Sequence, residues 1–516
     1  MQPSVNQLLQ HGVAHHQAGR LAEAEKCYRQ ILARQPGHVD ALQLMGVIAH
    51  QAARHDLAID WIGQAIAVNP NVAAFHNNLG EAHRAAGNLD RAIACYRRAI
   101  ALERMSPDAR TNLIRTLVQQ QNQAEALKEI WAALDLGQDV VQLLIEIIAA
   151  LAGEFQFDEA IALTRTALAK RPRDARLLVV LGNTLHAAAR LGESLNAYDE
   201  ALEILPDSAE AHWNKALLLL TLGDYLSGWK EYEWRWRCPN FPYKRQDFGK
   251  AFWDGSDLTG KTILLDSEGG FGDIIQFVRY AQLLAERGGR VALGCPPELK
   301  NLLKSVDGVD QIVTRGDTLP PMDFQLPLLS CPLRFGTTVE TIPSPGPYIA
   351  ASPQRVAQLT QRLGGQGSRL HVGLVWCGRS MPYPNRSCPL RQCAALFEVP
   401  GVQFHSLQRD DGRAELASAP ANWRIVDHGD ALNDFSDTAA LIAHLDLVIT
   451  IDSAVAHLAG AMGKPVWVML PHSPDWRWMM DRDDCPWYPT MKLYRQPTPN
   501  QWSAVTARVA AALRGL

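Results

Sequence analysis

Between Asp446 and Leu470 the chain reads DLVITIDSAVAHLAGAMGKPVWVML, and these residue types suit an anionic ligand. Leu447 to Ile451 is an apolar run rich in β-branched residues, which predicts a buried parallel strand. Asp452 and Ser453 end it. Ser453 is placed to cap the helix AVAHLAGAMG, which Gly463 closes and Pro465 guards. Val466 to Leu470 predicts a second buried strand. A strand, tight turn and helix leave backbone N–H groups free from Ala454 onward, just outside the carboxyl end of a sheet. Open α/β sheets hold anions such as a nucleotide diphosphate there. His457, one turn into the helix, can add a donor to the same phosphates. An ordinary βαβ unit carrying a surface histidine is the other reading.

Two further stretches carry chemistry. Glu268-Gly269-Gly270-Phe271-Gly272-Asp273 lies between the predicted strand KTILLD and the amphipathic helix IIQFVRYAQLLAERGG. Gly270 and Gly272 let the backbone come close to a ligand. The Asp273 carboxylate at the helix mouth can take a proton or simply cap the helix, and Glu268 is the second carboxylate in reach. The strand HVGLVW ends on Trp376, a further candidate ligand contact, and Arg379 and Arg386 follow it; guanidinium forks suit a diphosphate, although a loop arginine is as often just solvated. Ser406 and Leu407 close the strand VQFHSL, Gln408 follows it, and the three are placed to meet a nucleotide base. Asp434 and Asp437 read as helix caps. Arg409-Asp410-Asp411 and Asp481-Arg482-Asp483-Asp484 read as charged turns rather than metal ligands. His11, His15, His16 and His472 show no ligand spacing.

Positioning these loops requires a βα alternation, and the second half supplies it. From Lys261 about four strands precede the link SPGPYIAASP; HVGLVW, VQFHSL, WRIVD, DLVITI and PVWVML then restart the pattern. This predicts an N-terminal Rossmann-like half over 241–345 and a C-terminal half over 346–516, with a cleft between their carboxyl edges. Neither half has G-x-G-x-x-G with an acidic residue about twenty further on, and there is no G-x-x-x-x-G-K-[ST]. That argues against a dehydrogenase and a P-loop ATPase.

The first 240 residues differ in texture. Gly12, Gly46, Gly80 and Gly182 fall on a spacing of 34, as do Ala24, Ala58, Ala92, Ala126 and Ala160. Tyr28, Tyr96 and Tyr198 keep it too, and Pro36, Pro70, Pro172 and Pro206 mark repeat ends. The fourth and fifth repeats carry Ile114 and Ile148 in place of the glycine. This array resembles the tetratricopeptide repeat, an all-α solenoid whose groove binds a peptide or protein. The glycines let paired helices approach, the aromatic is expected to fill the gap to the next hairpin, and the proline stops the second helix. A solenoid that serves only for homo-oligomer formation is the alternative. GDYLSGWKEYEWRWRCPNFP ends the array. Its Trp229, Tyr232, Trp234 and Trp236 either cap the solenoid and glue it to the next domain or stack a sugar or base.

Composition fits this division. A net charge of −4 gives no footprint for nucleic acid or an anionic membrane, and no apolar run is long enough to span a bilayer. The start, MQPSVNQLLQHG, has no secretory pattern, and nine cysteines without a paired framework suggest a reducing cytoplasm.

EGGFGDIIQFVRYAQLL together with DSAVAHLAGAMGKPVWVML resembles the heptosyltransferase-like glycosyltransferases of family nine, over about Lys261 to Arg495. The resemblance implies a GT-B fold, a nucleotide-sugar co-substrate, no metal or other cofactor, and Asp273 as general base. It also implies that the Asp452-Ser453 motif with His457 holds the donor. Ala454 stands where that family has glycine, and Arg379 or Arg386 takes the place of its lysine. Asp475 or Trp476 in PHSPDWRWM can close over the sugar. Repeats joined to such a domain resemble protein O-glycosyltransferases, including the flagellin-modifying kind. The expected function is therefore an inverting, metal-independent transfer of sugar to Ser or Thr of a recruited protein. A non-catalytic binding scaffold and a glycan- or lipopolysaccharide-directed transferase are the alternatives.

Overall fold

The computed structural model describes residues 3–344, 346–363, 369–379, 384–409 and 411–516. The chain divides into two compact units, 1–180 and 181–516. The division falls within a repeat helix, well before the proline break near 240.

The first unit is built of helix pairs, beginning with Val5–Gln17 and Leu21–Arg34, then Val39–Gln51 and His55–Val68, then Ala73–Ala85 and Leu89–Leu102. Pro107–Gln119 pairs with Gln123–Asp135, and Val141–Gly153 with Phe157–Lys170. The repeat columns explain the packing. A Cβ on Gly12 would lie 2.4 Å from the Tyr28 ring, and one on Gly80 would lie 2.5 Å from the Tyr96 ring. The aromatic therefore sits on the glycine of its own hairpin, rather than in the gap to the next as its spacing suggested. Opposite Ile130 and Thr164 the column holds Ile114 and Ile148, all fully buried, whereas Gly46 is covered by Ile62, to which a Cβ would come within 2.4 Å. The turn between paired helices repeats as well: Gly19, Ala53, Gly87, Gln121 and Phe155 all have positive φ.

In the second unit the repeats continue through Leu191–Ile204 and Ala209–Leu222 to a short helix, Tyr225–Tyr232. Its Tyr225, Trp229 and Tyr232 are buried in one core with Phe277, Trp476 and Trp487. Trp229 donates to the carbonyl of Thr337 at 3.2 Å, and Trp487 donates to the Tyr225 hydroxyl at 3.0 Å. These three residues glue the end of the array to the α/β region, as a cap should.

Two parallel sheets follow. The first has strands β1 (Ala251–Phe252), β2 (Thr262–Asp266), β3 (Arg290–Gly294), β4 (Gln311–Val313) and β5 (Phe324–Pro327), in the order β1-β5-β2-β3-β4. The second has β6 (Leu370–Val375), β7 (Val402–Ser406), β8 (Val426–Asp427), β9 (Leu447–Ile451), β10 (Val466–Leu470) and β11 (Met491–Arg495), in the order β11-β10-β9-β6-β7-β8. Both are doubly wound, so the fold is an all-α tetratricopeptide solenoid followed by two Rossmann-like halves of GT-B type. β1 and β11 were not expected: two residues give β1 no periodic signal, and MKLYR hides an edge strand in a polar stretch. No described helix is long and apolar enough to cross a membrane.

Replacing Gly80 with alanine is expected to destabilise the repeat unit by about 1–3 kcal/mol, because the Tyr96 ring must give way. Tyr96→Ile in that background, copying the Ile114–Ile130 pair, should restore most of the loss. Chemical denaturation checks this, and an unchanged midpoint for Gly80→Ala would contradict the packing.

Candidate active site

The strand order reverses beside β2 in the first sheet and beside β6 in the second, and the crevice at such a switch point is where these sheets bind ligands. In the first half the switch lies between β2 and β5, and the glycine loop leaves the carboxyl end of β2. In the second it lies between β6 and β9, where the segments from Trp376 and from Asp452 begin. Topology thus brings together the loops that the sequence singled out.

The glycine loop is shaped around Asp273. Gly269 has φ +94°, and a Cβ there would lie 2.6 Å from the Asp273 carboxylate. Gly270 N–H donates to Asp273 Oδ2 at 2.6 Å, so the carboxylate caps the helix Phe271–Phe277. Asp273 Oδ1 accepts from the Arg477 guanidinium. The side chain remains a quarter exposed, within reach of a substrate. The next glycine has another task. A Cβ on Gly272 would come 2.7 Å from His457 Cδ2 and 3.5 Å from Ala454 Cα, so this helix start abuts the start of the helix Ala454–Ala461.

At that second helix Ser453 occupies the N-cap position without capping. Its hydroxyl pairs with Thr450 Oγ1 at 2.9 Å. The amides of Ala454 and Val455 have no partner among the described residues, which leaves them for an anion. His457 is buried rather than on the surface. It is 5% exposed, holds the Tyr488 hydroxyl at 3.0 Å through Nδ1 and stacks on Trp478. Burial, followed by the nearby arginines, pushes its pKa well down, so the ring is neutral. It serves as the floor under the glycine loop.

Asp452, half-buried, has its pKa raised to about 6 by burial and then by Asp475, with Arg386 and Arg477 opposing. Arg386 donates to the carbonyl of Arg379 at 3.2 and 3.1 Å and lies beside Gly378 and Ile451. Its guanidinium therefore lies on the carboxyl edge, whereas the Arg379 side chain is exposed.

The base-contact expectation for Ser406, Leu407 and Gln408 fails, and Trp376 is no more available to a ligand. Trp376 is fully buried, with Gly412 packed on it. Ser406 and Leu407 are buried too. Gln408 is consumed internally: Oε1 accepts from the amides of Trp376 and Cys377, and Nε2 donates to the carbonyls of Cys377 and Asp411. It pins the ends of β6 and β7 together and offers no amide to a base. Asp475 and Trp476 are also enclosed, the first capping the turn Trp476–Trp478 and the second in the core with Trp229, so neither can close over a sugar.

Asp434 caps the helix Phe435–Ala443, and both it and Asp437 pair with Arg355. Asp484 pairs with Arg482 in a turn, while Asp410 lies outside the described residues.

The residue that sequence reading missed is Arg477. It is 7% exposed and lies over the Trp476 ring, donating to Gln276 Oε1 at 2.6 Å, to Asp475 Oδ1 at 2.9 Å and to Asp273. An arginine between two tryptophans just past a strand's carboxyl end was the available signal.

Glu268 is the second unusual carboxyl. It is 4% exposed, and its Oε1 accepts from buried Arg235 at 2.9 Å and from the Leu329 amide, while Oε2 has no partner among the described residues. Burial raises its pKa to about 7 against the pull of Arg235. Burial alone raises nearby Asp266 to about 6.

Comparison with known proteins agrees with both halves of the reading. Tetratricopeptide repeat families match residues 9–71, 73–105 and 148–209, and Glycosyltransferase family 9 (heptosyltransferase) matches residues 432–475. The chain is 25% identical to Protein FlbA of Caulobacter vibrioides, over 69% of this chain and 70% of that one. It is 28% identical to a peroxisomal targeting signal receptor of Eremothecium gossypii, over 40% of this chain and 36% of the receptor. Among solved structures, a glycosyl transferase of family 9 from Veillonella parvula aligns over 47% of this chain and 88% of its own, at 12% identity and TM-score 0.37. The chain joins tetratricopeptide repeats to a heptosyltransferase-like family-nine region, and the matches support a glycosyltransferase.

The raised carboxyls set a pH dependence. Folded Glu268, Asp266 and Asp452 hold protons that the unfolded chain has released. Their contribution to stability is present below about pH 4 and is lost as pH rises through about 6 to 7. Glu268→Gln should therefore flatten the fall in unfolding free energy across that window relative to wild type. Equal slopes in the two proteins, measured by denaturation at several pH values, would contradict this.

Proposed function

We propose that this tetratricopeptide glycosyltransferase is an inverting, metal-independent enzyme that moves a sugar from a nucleotide sugar to Ser or Thr of a protein held by the repeats. One observation carries the reading. The helix start bearing Asp273 abuts a helix start with free amides, so a proton acceptor and an anion site share one cleft. In the reaction the acceptor oxygen attacks the anomeric carbon from the side opposite the leaving group. A glycosidic C–O bond forms, the bond to the nucleotide's phosphate breaks, and configuration inverts. The hydroxyl proton passes to Asp273. The departing phosphate takes its stabilisation from the amides of Ala454 and Val455 and from Arg386, a combination of helix dipole and guanidinium that needs no metal.

The repeats favour a protein acceptor, because stacked hairpins present an extended surface suited to polypeptide. The family-nine match over 432–475 includes the Asp452-to-His457 segment, which supports the donor side. A scaffold without chemistry has one observation in its favour: both oxygens of Asp273 already accept hydrogen bonds.

Incubation with labelled UDP-, GDP-, ADP-, dTDP- and CMP-linked sugars and a protein acceptor pool decides between them. Transfer by the wild type, reduced about 10²–10⁴-fold in Asp273→Asn, is expected. Undiminished transfer by Asp273→Asn would remove the base, and no transfer from any donor would favour the scaffold.

A further inference from the structure

Arg477 joins the two halves of the cleft through its hydrogen bonds. Its Nε donates to Gln276 on the glycine-loop helix, one terminal nitrogen donates to Asp475 beside it, and the other donates to Asp273. The side chain is 9% exposed, so these contacts are made largely away from water. A single guanidinium is shared between two carboxylates, and the half-buried Asp452 lies close enough to both Arg477 and Asp475 to feel their charges. Beside this cluster a Cβ on Gly272 would lie 3.5 Å from Ala454 Cα, and the amides of Ala454 and Val455 have no partner among the described residues. A phosphate seated on those amides would therefore lie beside Arg477 and beside the carboxylate that Arg477 holds.

We propose that Arg477 is a positioning residue shared between Asp273 and the donor's phosphates, so that donor binding draws the guanidinium away and frees Asp273 to accept a proton. The proposal rests on the donor-site and base assignments above and adds an order of events to them. With the cleft free of donor, the Asp273 oxygen that faces Arg477 is engaged, and an acceptor hydroxyl must compete with a guanidinium for it. A phosphate offers the same guanidinium a doubly bonded, charge-assisted partner. Its arrival exchanges one ion pair for another and exposes the carboxylate only when a sugar is in place. Activated sugar is thereby protected from an idle base. The same linkage requires that Asp273 and the phosphate oppose each other's hold on Arg477, because coupling between sites is reciprocal.

That reciprocity can be measured without knowing sugar or acceptor. Calorimetric titration of the full chain with UDP, GDP, ADP, dTDP and CMP identifies the nucleotide that wild type binds. The same nucleotide is then titrated into Asp273→Asn, Arg477→Lys, Arg477→Met and the double variant Asp273→Asn/Arg477→Met. Asp273→Asn should bind about tenfold tighter than wild type, since the competitor for Arg477 is gone. Arg477→Met should bind more weakly, Arg477→Lys should keep part of the affinity, and the gain from Asp273→Asn should vanish in the double variant. A residue that only props up the fold would not produce a gain, nor make that gain depend on a second residue. Unchanged or weaker affinity in Asp273→Asn, or a gain that persists without Arg477, overturns the sharing while leaving the donor site standing. Silence of wild type across all five nucleotides overturns the donor site itself, and the proposal with it.

Discussion

The contact between two helix starts governs the α/β region of this protein. Gly272 lies against Ala454 and His457, and a single methyl group at position 272 would collide with the imidazole at 2.7 Å. Because that residue is glycine, the loop after β2 and the loop after β9 meet at backbone distance. The Asp273 carboxylate, held by the Gly270 N–H and Arg477, then stands on one of two abutting helix starts and the unpartnered amides on the other. His457 makes the contact firm. Buried, neutral and held by Tyr488, it gives Gly272 a flat ring to rest on.

Charge in this cleft is distributed as a chain of shared partners rather than as isolated pairs. Arg477 serves Asp273 and Asp475, and Arg235 serves Glu233 and Glu268. Arg386 and Arg477 both act on Asp452. Burial raises the pKa of Glu268, Asp266 and Asp452 because water is excluded faster than cations are supplied. Such an environment strengthens every charge that a ligand brings. The capping unit of the repeats belongs to the same construction. Arg235, just past Tyr232, reaches the Glu268 end of the glycine loop, while Trp229 and Tyr225 pack on Trp476, next to Arg477. The end of the repeat array therefore contacts both carboxylate-bearing segments of the cleft.

Much of this was legible in the sequence because it is written in periods and punctuation. A spacing of 34 specifies paired helices, and Gly12, Gly80 and Gly182 follow from the tyrosine rings that cover them. Alternating apolar runs and glycine loops specify doubly wound sheets, and their order places Asp273, Arg386 and the amides after Ser453 on carboxyl edges. What stayed hidden depends on the third dimension. The spacing of His457 shows that it is one turn into a helix, but not that a glycine from a distant loop covers it. Gln408 looks like a free amide until β6 and β7 are laid side by side, when its donors and acceptors all find backbone. Leu407 and Trp376 follow strands, yet their side chains turn into the core. Arg477 could not be assigned because its partners, Asp273 and Gln276, lie some two hundred residues away. The Ser453 cap was misread for a local reason: Thr450, three residues earlier, takes the hydroxyl that would otherwise satisfy the helix.

The most direct measurement is diffraction from crystals of the full chain grown with the nucleoside diphosphate it binds. Phosphate oxygens should lie within hydrogen-bond distance of the Ala454 and Val455 amides, with Arg386 and Arg477 alongside and the Asp273 carboxylate released toward the cleft. A nucleotide bound elsewhere, with those amides still facing solvent and Arg477 still on Asp273, would contradict the cleft as the site of transfer.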